Sequence, residues 1–320
     1  MRRLIEEVFR HGLSSQDLET SHDSCELKIN SGRIAFTTDS YVVRPLVFPG
    51  GDIGRLAVWG TVNDLAMVGA RPRWLSAGFI LEEGFPLDEL GGLIRSMGEA
   101  ASQAEVSLVT GDTKVVDKGK GDGVYINTAG IGVIEHDLSI HPGSIQPGDV
   151  CLLSGDIGRH GIAVLNAREG LSLQGVIESD LAQLQQPVLS LLEAGFDLCC
   201  LRDLTRGGLA TALIEIAESS GRSLEVREID VPVRDDVRGA CELLGLDPLY
   251  VANEGRFVAF VPETESERAL QILRGLSVSR EATTIARVGY RETGSVALES
   301  AIGVSRILDM LSGEQLPRIC

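Results

Sequence analysis

The chain has 320 residues, of which 43% are hydrophobic, and a formal net charge of −17. Its length suits two domains, each with its own core, in a soluble protein of the α/β class. The negative charge would repel a phosphate backbone and only 4% of the residues are aromatic, so nucleic-acid binding is excluded as a main activity.

In the first half of the chain the sequence predicts alternating strands and helices. A turn and N-cap at 49–52 opens a predicted helix over 53–68, and a second helix is predicted over 86–105. Alternating or short apolar runs predict strands at 33–37, 74–81, 106–109 and 123–134. The segment 141–149, with two Pro and two Gly, is the best linker in the chain.

The second half repeats the mixture of strands and helices. Strands are predicted at 150–153, 257–261 and 284–288, and helices at 159–169, 181–193, 207–219, 264–274 and 304–311. The predicted organisation is an N-terminal domain over 1–140, a second domain over 141–312 and a mobile tail over 313–320.

The location of the protein is also constrained by the sequence. No apolar run approaches the length that crosses a bilayer, and the first residues contain no signal-peptide core. The six cysteines show neither CxxC spacing nor the density of a disulfide scaffold. We therefore expect a cytoplasmic protein with no membrane partner.

Three aspartates stand in comparable settings. Asp39 and Asp112 each follow a predicted strand, while Asp64 lies beside Asn63 inside an otherwise apolar predicted helix, where aspartate is unfavourable. Magnesium prefers hard oxygen ligands, often one or two carboxylates together with phosphate oxygens. An N-cap or Asx-turn would explain any one of the three, but the three together favour a magnesium site.

The segment 202–208 leads into a predicted helix and suits an anion. Gly207 and Gly208 would let a ligand approach the free N–H groups at the helix start, and Arg206 would add a bidentate phosphate contact. A capped loop–helix junction is an equal alternative. The sequence contains no GxxxxGK[ST] loop, no GxGxxG before a helix, no HExxH and no GxSxG elbow.

Two further residues are candidates for proton transfer and charge stabilisation. Lys114 lies two residues beyond Asp112, so on an extended segment the two side chains share a face. A lysine there would stabilise charge that develops during phosphoryl transfer. Glu254 lies between apolar segments and is either a buried base or a turn carboxylate in a surface loop.

The last residue of the chain is Cys320, which follows Pro317 and so cannot belong to a helix. No neighbouring residue makes it a metal pair or a CxxC redox pair. The eight residues 313–320 reach roughly 26 Å when extended, enough to carry the thiol to a partner and back into a cleft. A frayed end that happens to finish in cysteine is the alternative interpretation.

Taken together, these segments resemble the HypE family of hydrogenase-maturation carbamoyl dehydratases, within the PurM-like ATP-binding superfamily. The resemblance covers nearly the whole chain, and the terminal Pro-Arg-Ile-Cys is specific to this family. The segments that carry it are 37–43, 48–54, 60–66, 111–116, 202–208, 241–248, 252–255 and 316–320.

The resemblance implies a two-domain PurM-like fold whose N-terminal domain forms a homodimer through its sheet. It also implies a reaction: the carbamoyltransferase HypF loads a carbamoyl group onto the sulfur of Cys320, and the tail then enters an ATP cleft. The amide oxygen attacks the γ-phosphate, and loss of phosphate leaves a thiocyanate. Through the HypC–HypD scaffold this group becomes a cyanide ligand of nickel–iron hydrogenase.

The resemblance further implies roles for individual residues. Asp39, Asp64 and Asp112 would bind Mg²⁺ and ATP, and Lys114 and Glu254 would be acid and base in either order. The other residues expected at the nucleotide are Asn63, Thr113, Asp203, Arg206, Gly207 and Gly208. Family members usually begin with a glycine-rich segment that folds over the phosphates, and this chain starts after it, so poor ATP binding is an expectation.

Other functions fit parts of the sequence. Selenophosphate synthetase would need a reactive Cys or Sec near the N-terminus, where Cys25 is the only candidate. Aminoimidazole ribonucleotide synthetase and thiamine-phosphate kinase would not need a terminal thiol. An interaction module whose tail docks into a partner is an alternative from a different class.

Overall fold

The structure is a computed structural model that describes residues 25–29, 32–171 and 175–311. The predicted mobile tail and Cys320 lie outside the described residues. Within them, no helix has both the length and the apolar character needed to cross a membrane.

The first domain is a five-stranded sheet with helices packed on one face. The sheet has the order β1-β2-β7-β5-β6, and a two-stranded ribbon of β3 and β4 precedes the first helix. The strands are β1 (Cys25–Ile29), β2 (Gly32–Tyr41), β3 (Val47–Phe48), β4 (Gly51–Asp52), β5 (Ala70–Glu82), β6 (Ser107–Val116) and β7 (Val124–Ile134), and the helices are α1 (Ile53–Met67) and α2 (Leu87–Gln103).

Helix α1 begins where the sequence predicts. Asp52 caps it, because its Oδ1 accepts the backbone N–H groups of Gly54 at 2.8 Å and Arg55 at 3.0 Å. Most of the helix is buried, and it crosses the sheet close to Tyr41. Gly60 is required at this crossing, since a Cβ there would collide with the Tyr41 hydroxyl.

Strands β2 and β6 are longer than predicted, and this changes the setting of two candidate residues. Asp39 lies inside β2 and Asp112 inside β6, so the expectation that each follows a strand is wrong. The sequence pattern missed the extra length because β6 is exposed along almost all of its residues. An exposed edge strand carries little of the apolar alternation that marks a half-buried one.

The second domain is a seven-stranded sheet between two layers of helices. Its strand order is β14-β13-β10-β12-β8-β11-β9. The strands are β8 (Val150–Leu153), β9 (Cys200–Asp203), β10 (Leu224–Arg227), β11 (Phe257–Val261), β12 (Thr283–Val288), β13 (Val296–Glu299) and β14 (Ser305–Leu308). The helices are α3 (Arg159–Glu169), α4 (Gln185–Glu193), α5 (Gly208–Ser220), α6 (Asp235–Leu244) and α7 (Ser266–Arg274).

The helix predicted over 304–311 is wrong, because this segment forms β14 and pairs antiparallel with β13. Within β14 only Leu308 is buried. A helix of eight residues with so little apolar burial would be marginal on its own. Pairing with β13 satisfies the backbone groups instead, and the pairing partner is not visible in the local sequence.

The two domains share a core at their boundary. Ala66 and Met67, at the end of α1, join the apolar cluster on the α4 and α7 side of the second sheet. Arg71 of the first domain pairs with Glu193 of the second at 3.2 Å. The predicted linker is ordered, since His141 N–H donates to the Cys199 carbonyl at 3.0 Å and Gly148 N–H to the Val288 carbonyl at 2.9 Å. These contacts bring α1 and the segment around Glu254 together.

Candidate active site

The candidate site is a group of acidic residues where the two domains meet. Glu254 lies in the irregular segment before β11 and is 4% exposed. Burial raises the pKa of its carboxyl well above the usual 4.5, and the charges of Asp203, Asp39 and Asp180 raise it further. No described side chain forms a hydrogen bond or ion pair with this carboxylate. Of the two settings considered from the sequence, the structure therefore shows a buried carboxyl and not a turn carboxylate in a surface loop, and its role as a base stays a prediction.

Asp39 and Asp64 lie on the side of the sheet that faces α1. Asp39 pairs across the strands with Thr128, which is fully buried and donates to the Ala57 carbonyl of α1 at 3.0 Å. Asp64 Oδ2 accepts the hydroxyl of Thr37 at 2.9 Å. Burial raises the pKa of the Tyr41 hydroxyl, and the charges of Asp39 and Asp64 add to that effect. The two predicted ligands are thus neighbours.

Asp112 points to the other face of the sheet. It pairs with Gly78, which pairs with Asn127 and through it with Ser40, one residue along from Asp39. Successive residues of a strand face opposite sides, and β6 is three strands from β2, or about 14 Å. Among the described residues, accordingly, no three His, Cys, Asp or Glu side chains converge closely enough to hold a metal ion.

Lys114 and Asp112 form a pair, as their spacing predicts. Lys114 Nζ lies 2.7 Å from Oδ1 and 2.5 Å from Oδ2 of Asp112, and the side chains are 69% and 70% exposed. The hydrogen bond from Lys114 lowers the pKa of Asp112, and the Thr113 N–H adds to the effect. Because both side chains lie on the outer face, Lys114 does not meet Glu254 within one chain.

Asn63, the first residue of the unusual Asn-Asp pair in α1, has a structural role. It is 2% exposed, and its Nδ2 donates to the carbonyls of Ala182 at 3.0 Å and Glu254 at 3.4 Å. Its Oδ1 accepts the Leu184 N–H at 2.7 Å. The side chain thus joins α1 to the second domain and holds the backbone of Glu254. Its contact with a nucleotide stays a prediction.

The segment 202–208 places one acid in the site and packs tightly against the protein. Asp203, at the end of β9, is 5% exposed and accepts the Thr205 hydroxyl at 3.3 Å. Gly207 and Gly208 have φ values of 72° and 63°. A Cβ on Gly208 would lie 2.5 Å from the Val251 carbonyl, so the close approach is to the protein's own backbone. Their phosphate contacts, and that of exposed Arg206, stay predictions.

Asp180 and Tyr41 belong to the site but did not stand out in the sequence. Asp180 is 3% exposed, and its Oδ1 accepts the Glu254 N–H at 3.2 Å. It lies in a segment without regular structure, where no pattern distinguishes a buried acid from a surface one. Tyr41 did lie in a quoted segment, and its apolar alternation with Ala35 marks it as core.

We expect Glu254→Gln to stabilise the metal-free protein increasingly as the pH rises above about 4.5. A folded-state pKa above the unfolded one favours the protonated carboxyl, so its contribution is present at low pH and is lost as the pH rises. The advantage of Gln should grow by about 1.4 kcal/mol per pH unit until the folded pKa is reached. Urea unfolding at several pH values measures it, with exposed Glu242→Gln as the control. A difference independent of pH would contradict the raised pKa.

We expect Asn63→Ala to lower the free energy of unfolding by about 2–4 kcal/mol, because three backbone groups of the second domain, in two buried hydrogen bonds and one partly buried one, lose this partner. Asn127→Ala is the control, since its amide also makes three hydrogen bonds but lies on the exposed face. Denaturant unfolding should show a loss below about 1 kcal/mol for the control. Equal losses would mean that Asn63 does not join the domains.

Comparison with known proteins agrees with this architecture. The family described as AIR synthase related protein, N-terminal domain, matches residues 21–134, and its C-terminal domain counterpart matches residues 146–299. The carbamoyl dehydratase HypE of Azotobacter vinelandii is 51% identical over 320 residues, covering 100% of this chain and 94% of the relative.

Solved structures give the same result over the whole fold. A crystal structure of the hydrogenase maturation protein HypE in complex with ATP is 48% identical, with a TM-score of 0.87 and coverage of 100% of this chain and 96% of that one. A HypE–HypF complex superposes with a TM-score of 0.90 at 44% identity, covering 96% and 99%. The predicted two-domain PurM-like fold is confirmed, and the chain belongs to the HypE family of carbamoyl dehydratases.

Proposed function

We propose that the chain uses ATP to dehydrate a carbamoyl group carried on its own Cys320, and that the resulting thiocyanate supplies the cyanide ligands of nickel–iron hydrogenase. Family membership supports the reaction class. The observation that carries the proposal at the level of residues is Glu254, a buried carboxyl with a raised pKa among three other acids and with no cationic partner among the described side chains.

The chemistry requires activation of a poor leaving group. The carbamoyl oxygen attacks the γ-phosphorus of ATP, ADP leaves, and one N–H proton is released to give an O-phosphorylated imidate on sulfur. Removal of the second N–H proton then expels phosphate and forms the C≡N bond. Glu254, when ionised, is a stronger base than an ordinary carboxylate because its pKa is raised. We assign it the proton removal and assign Lys114 the stabilisation of phosphoryl charge.

Asp39 and Asp64 fit a magnesium ion that is shared with a nucleotide. They offer hard oxygen ligands on the side of the sheet that α1 covers, one from β2 and one from α1, and Asp39 is exposed to solvent. Magnesium usually takes only one or two protein carboxylates and completes its shell with phosphate oxygens and water. When bound, the ion would neutralise charge on the phosphates, and Asp203, Arg206, Gly207 and Gly208 would lie along the second-domain wall.

We propose that two copies pair through the outer face of the first sheet. This face exposes Phe36, Trp74 and Ile80, which are 40%, 47% and 44% exposed, and β6 is an edge strand among the strands that the structure describes. Exposed apolar faces and strand edges of this kind are usually covered. Because Asp112 and Lys114 project from the same face, pairing would bring them to the site of the other copy, beside its magnesium and nucleotide.

The last described residues before the tail contact Tyr250, which lies four positions before Glu254 in the sequence. Tyr250 Oη donates to the carbonyl of Asp309 at 2.9 Å, near the last described residues. The four residues from Tyr250 to Glu254 span at most about 14 Å, and residues 312–320 reach about 30 Å when extended. Cys320 can therefore be delivered to the site. We propose HypF as the donor of the carbamoyl group and the HypC–HypD complex as the acceptor of the product.

Mixed dimers should test the shared site. Asp112→Ala and Glu254→Gln should each abolish thiocyanate formation when alone. If the site combines residues of two copies, heterodimers of the two variants should recover up to half of the wild-type activity, since one site then has both native residues. Mass spectrometry of the C-terminal peptide provides the measurement. No recovery in verified heterodimers would place all the residues in one chain's site.

Cys320→Ala should remove all thiocyanate formation and leave ATP binding unchanged within about twofold, because the thiol carries the substrate but does not bind the nucleotide. Cys199→Ala is the matched control: burial raises the pKa of the Cys199 thiol to about 12, so it is a poor nucleophile. Carbamoylation assays with HypF and calorimetry with ATP separate the two effects. Product from Cys320→Ala, or none from Cys199→Ala, would refute the assignment.

A further inference from the structure

A second polar cavity lies in the C-terminal domain, outside the acidic site. It has a volume of about 200 Å³, room for several water molecules at about 30 Å³ each. It opens where β8 ends and where β11 and β12 begin, at one end of three adjacent strands of the sheet. Four arginines and two acids are prominent in its lining: Arg159, Arg234, Arg256, Arg280, Asp156 and Glu281.

The floor of this arginine cavity is held rigidly. Asp156 accepts Arg159 Nε at 2.6 Å and Arg256 Nη2 at 2.5 Å, so one buried carboxylate orients two guanidinium groups. Arg256 also donates to the backbone carbonyls of Asp156 at 2.8 Å and Gly255 at 2.7 Å. Gly155 allows this arrangement, since a Cβ there would lie 2.9 Å from Arg256 Nε. The two cations keep the pKa of Asp156 low despite its burial, so the carboxylate stays ionised.

The rim of the cavity contains two arginines whose side chains retain hydrogen-bond donors outside the described pairs. Arg234 pairs with Asp236 through Nε at 3.1 Å and Nη2 at 2.6 Å, and Nη1 takes no part in that pair. Arg280 is exposed and makes no side-chain hydrogen bond or ion pair with any residue that the structure describes. Among the described residues that line the rim, Glu281 is the one acid. The cavity lining thus contains four arginines against two acids, in a chain whose net charge is −17.

We propose that the arginine cavity is a binding site for a phosphate-class oxyanion, separate from the acidic site. Planar guanidinium groups with fixed donors match phosphate oxygens, and the two rim arginines can bind more than one oxygen of a tetrahedral anion. The floor arginines provide positive charge in a preset geometry, and Arg280 and Arg234 provide the free donors. The inference rests on the cavity alone and does not depend on the proposed dehydratase reaction.

The cavity and the acidic site share a wall. Asp180 accepts the Glu254 N–H through Oδ1, while its Oδ2 lies 4.0 Å from Arg256 Nε. That Oδ2 is buried and has no hydrogen-bond partner. Asp180 would therefore separate an anion bound in the arginine cavity from the backbone of Glu254. The anion is either free inorganic phosphate or the phosphate group of a nucleotide, and these two sources can be tested separately.

Calorimetric titration of the full chain with inorganic phosphate alone, at constant ionic strength and without magnesium, is the first arm of the test. We expect saturable binding that is weakened at least tenfold by Arg280→Gln and lost in the Arg234→Gln, Arg280→Gln double variant. Both residues are exposed, so the variants should fold, and thermal melting checks this. Arg95→Gln, an exposed arginine on α2 of the other domain, is the matched control and should bind like the wild type.

The second arm repeats the titration in saturating ADP, and with ADP as the titrant. Undiminished phosphate binding in ADP supports a separate site for free phosphate. Binding of ADP that depends on Arg280, with no binding of phosphate alone, would assign the cavity to the nucleotide and overturn the separate site. Absence of Arg280-dependent binding with either probe would overturn the proposal altogether. These titrations do not measure the dehydratase reaction. Failure of the proposed dehydratase function would therefore leave their outcome unchanged, and the two proposals can fail independently.

Discussion

The rest of the site depends on the burial of one carboxyl group between two domains. Glu254 is removed from water and surrounded by acids, so its charged form is disfavoured unless a ligand supplies positive charge or donates a hydrogen bond. The protein stabilises this position from both sides, with Asn63 of the first domain and Asp180 of the second bonded to its backbone. A magnesium ion held on the Asp39 side would supply positive charge and lower this electrostatic cost.

The sheet of the first domain divides the candidate site residues between its two faces. Asp39 of β2 and Asp64 of α1 lie on the side of the sheet that α1 covers, whereas Asp112 and Lys114 face outward from β6, an edge strand among the described strands. A single chain therefore presents half of the expected phosphate-binding set on each face. Pairing of two such faces would both cover the apolar outer side chains and join the two halves, which gives one physical reason for dimerisation and for catalysis.

In the second domain, the acidic site and the positively charged arginine cavity lie a short distance apart. The acidic site and the arginine cavity are separated by little more than Asp180, whose two carboxylate oxygens face Glu254 and Arg256. Buried ions are costly unless they are paired, and the Asp156 pairs with Arg159 and Arg256 meet that requirement on the cavity side. We therefore expect a charged ligand in one site to change the electrostatic potential at the other.

The sequence by itself determined the fold class, most helices, the Asp112–Lys114 pair and the family, because these depend on local periodicity, spacing and motifs. It did not determine that 304–311 is a strand or that Asp39 and Asp112 lie inside strands, because pairing partners and exposed edges leave weak local patterns. Nor did it identify Asp180 as a site residue, or the hydrogen bonds by which Asn63 joins α1 to the second domain. Both depend on contacts between residues more than 70 positions apart, which only the tertiary structure brings together.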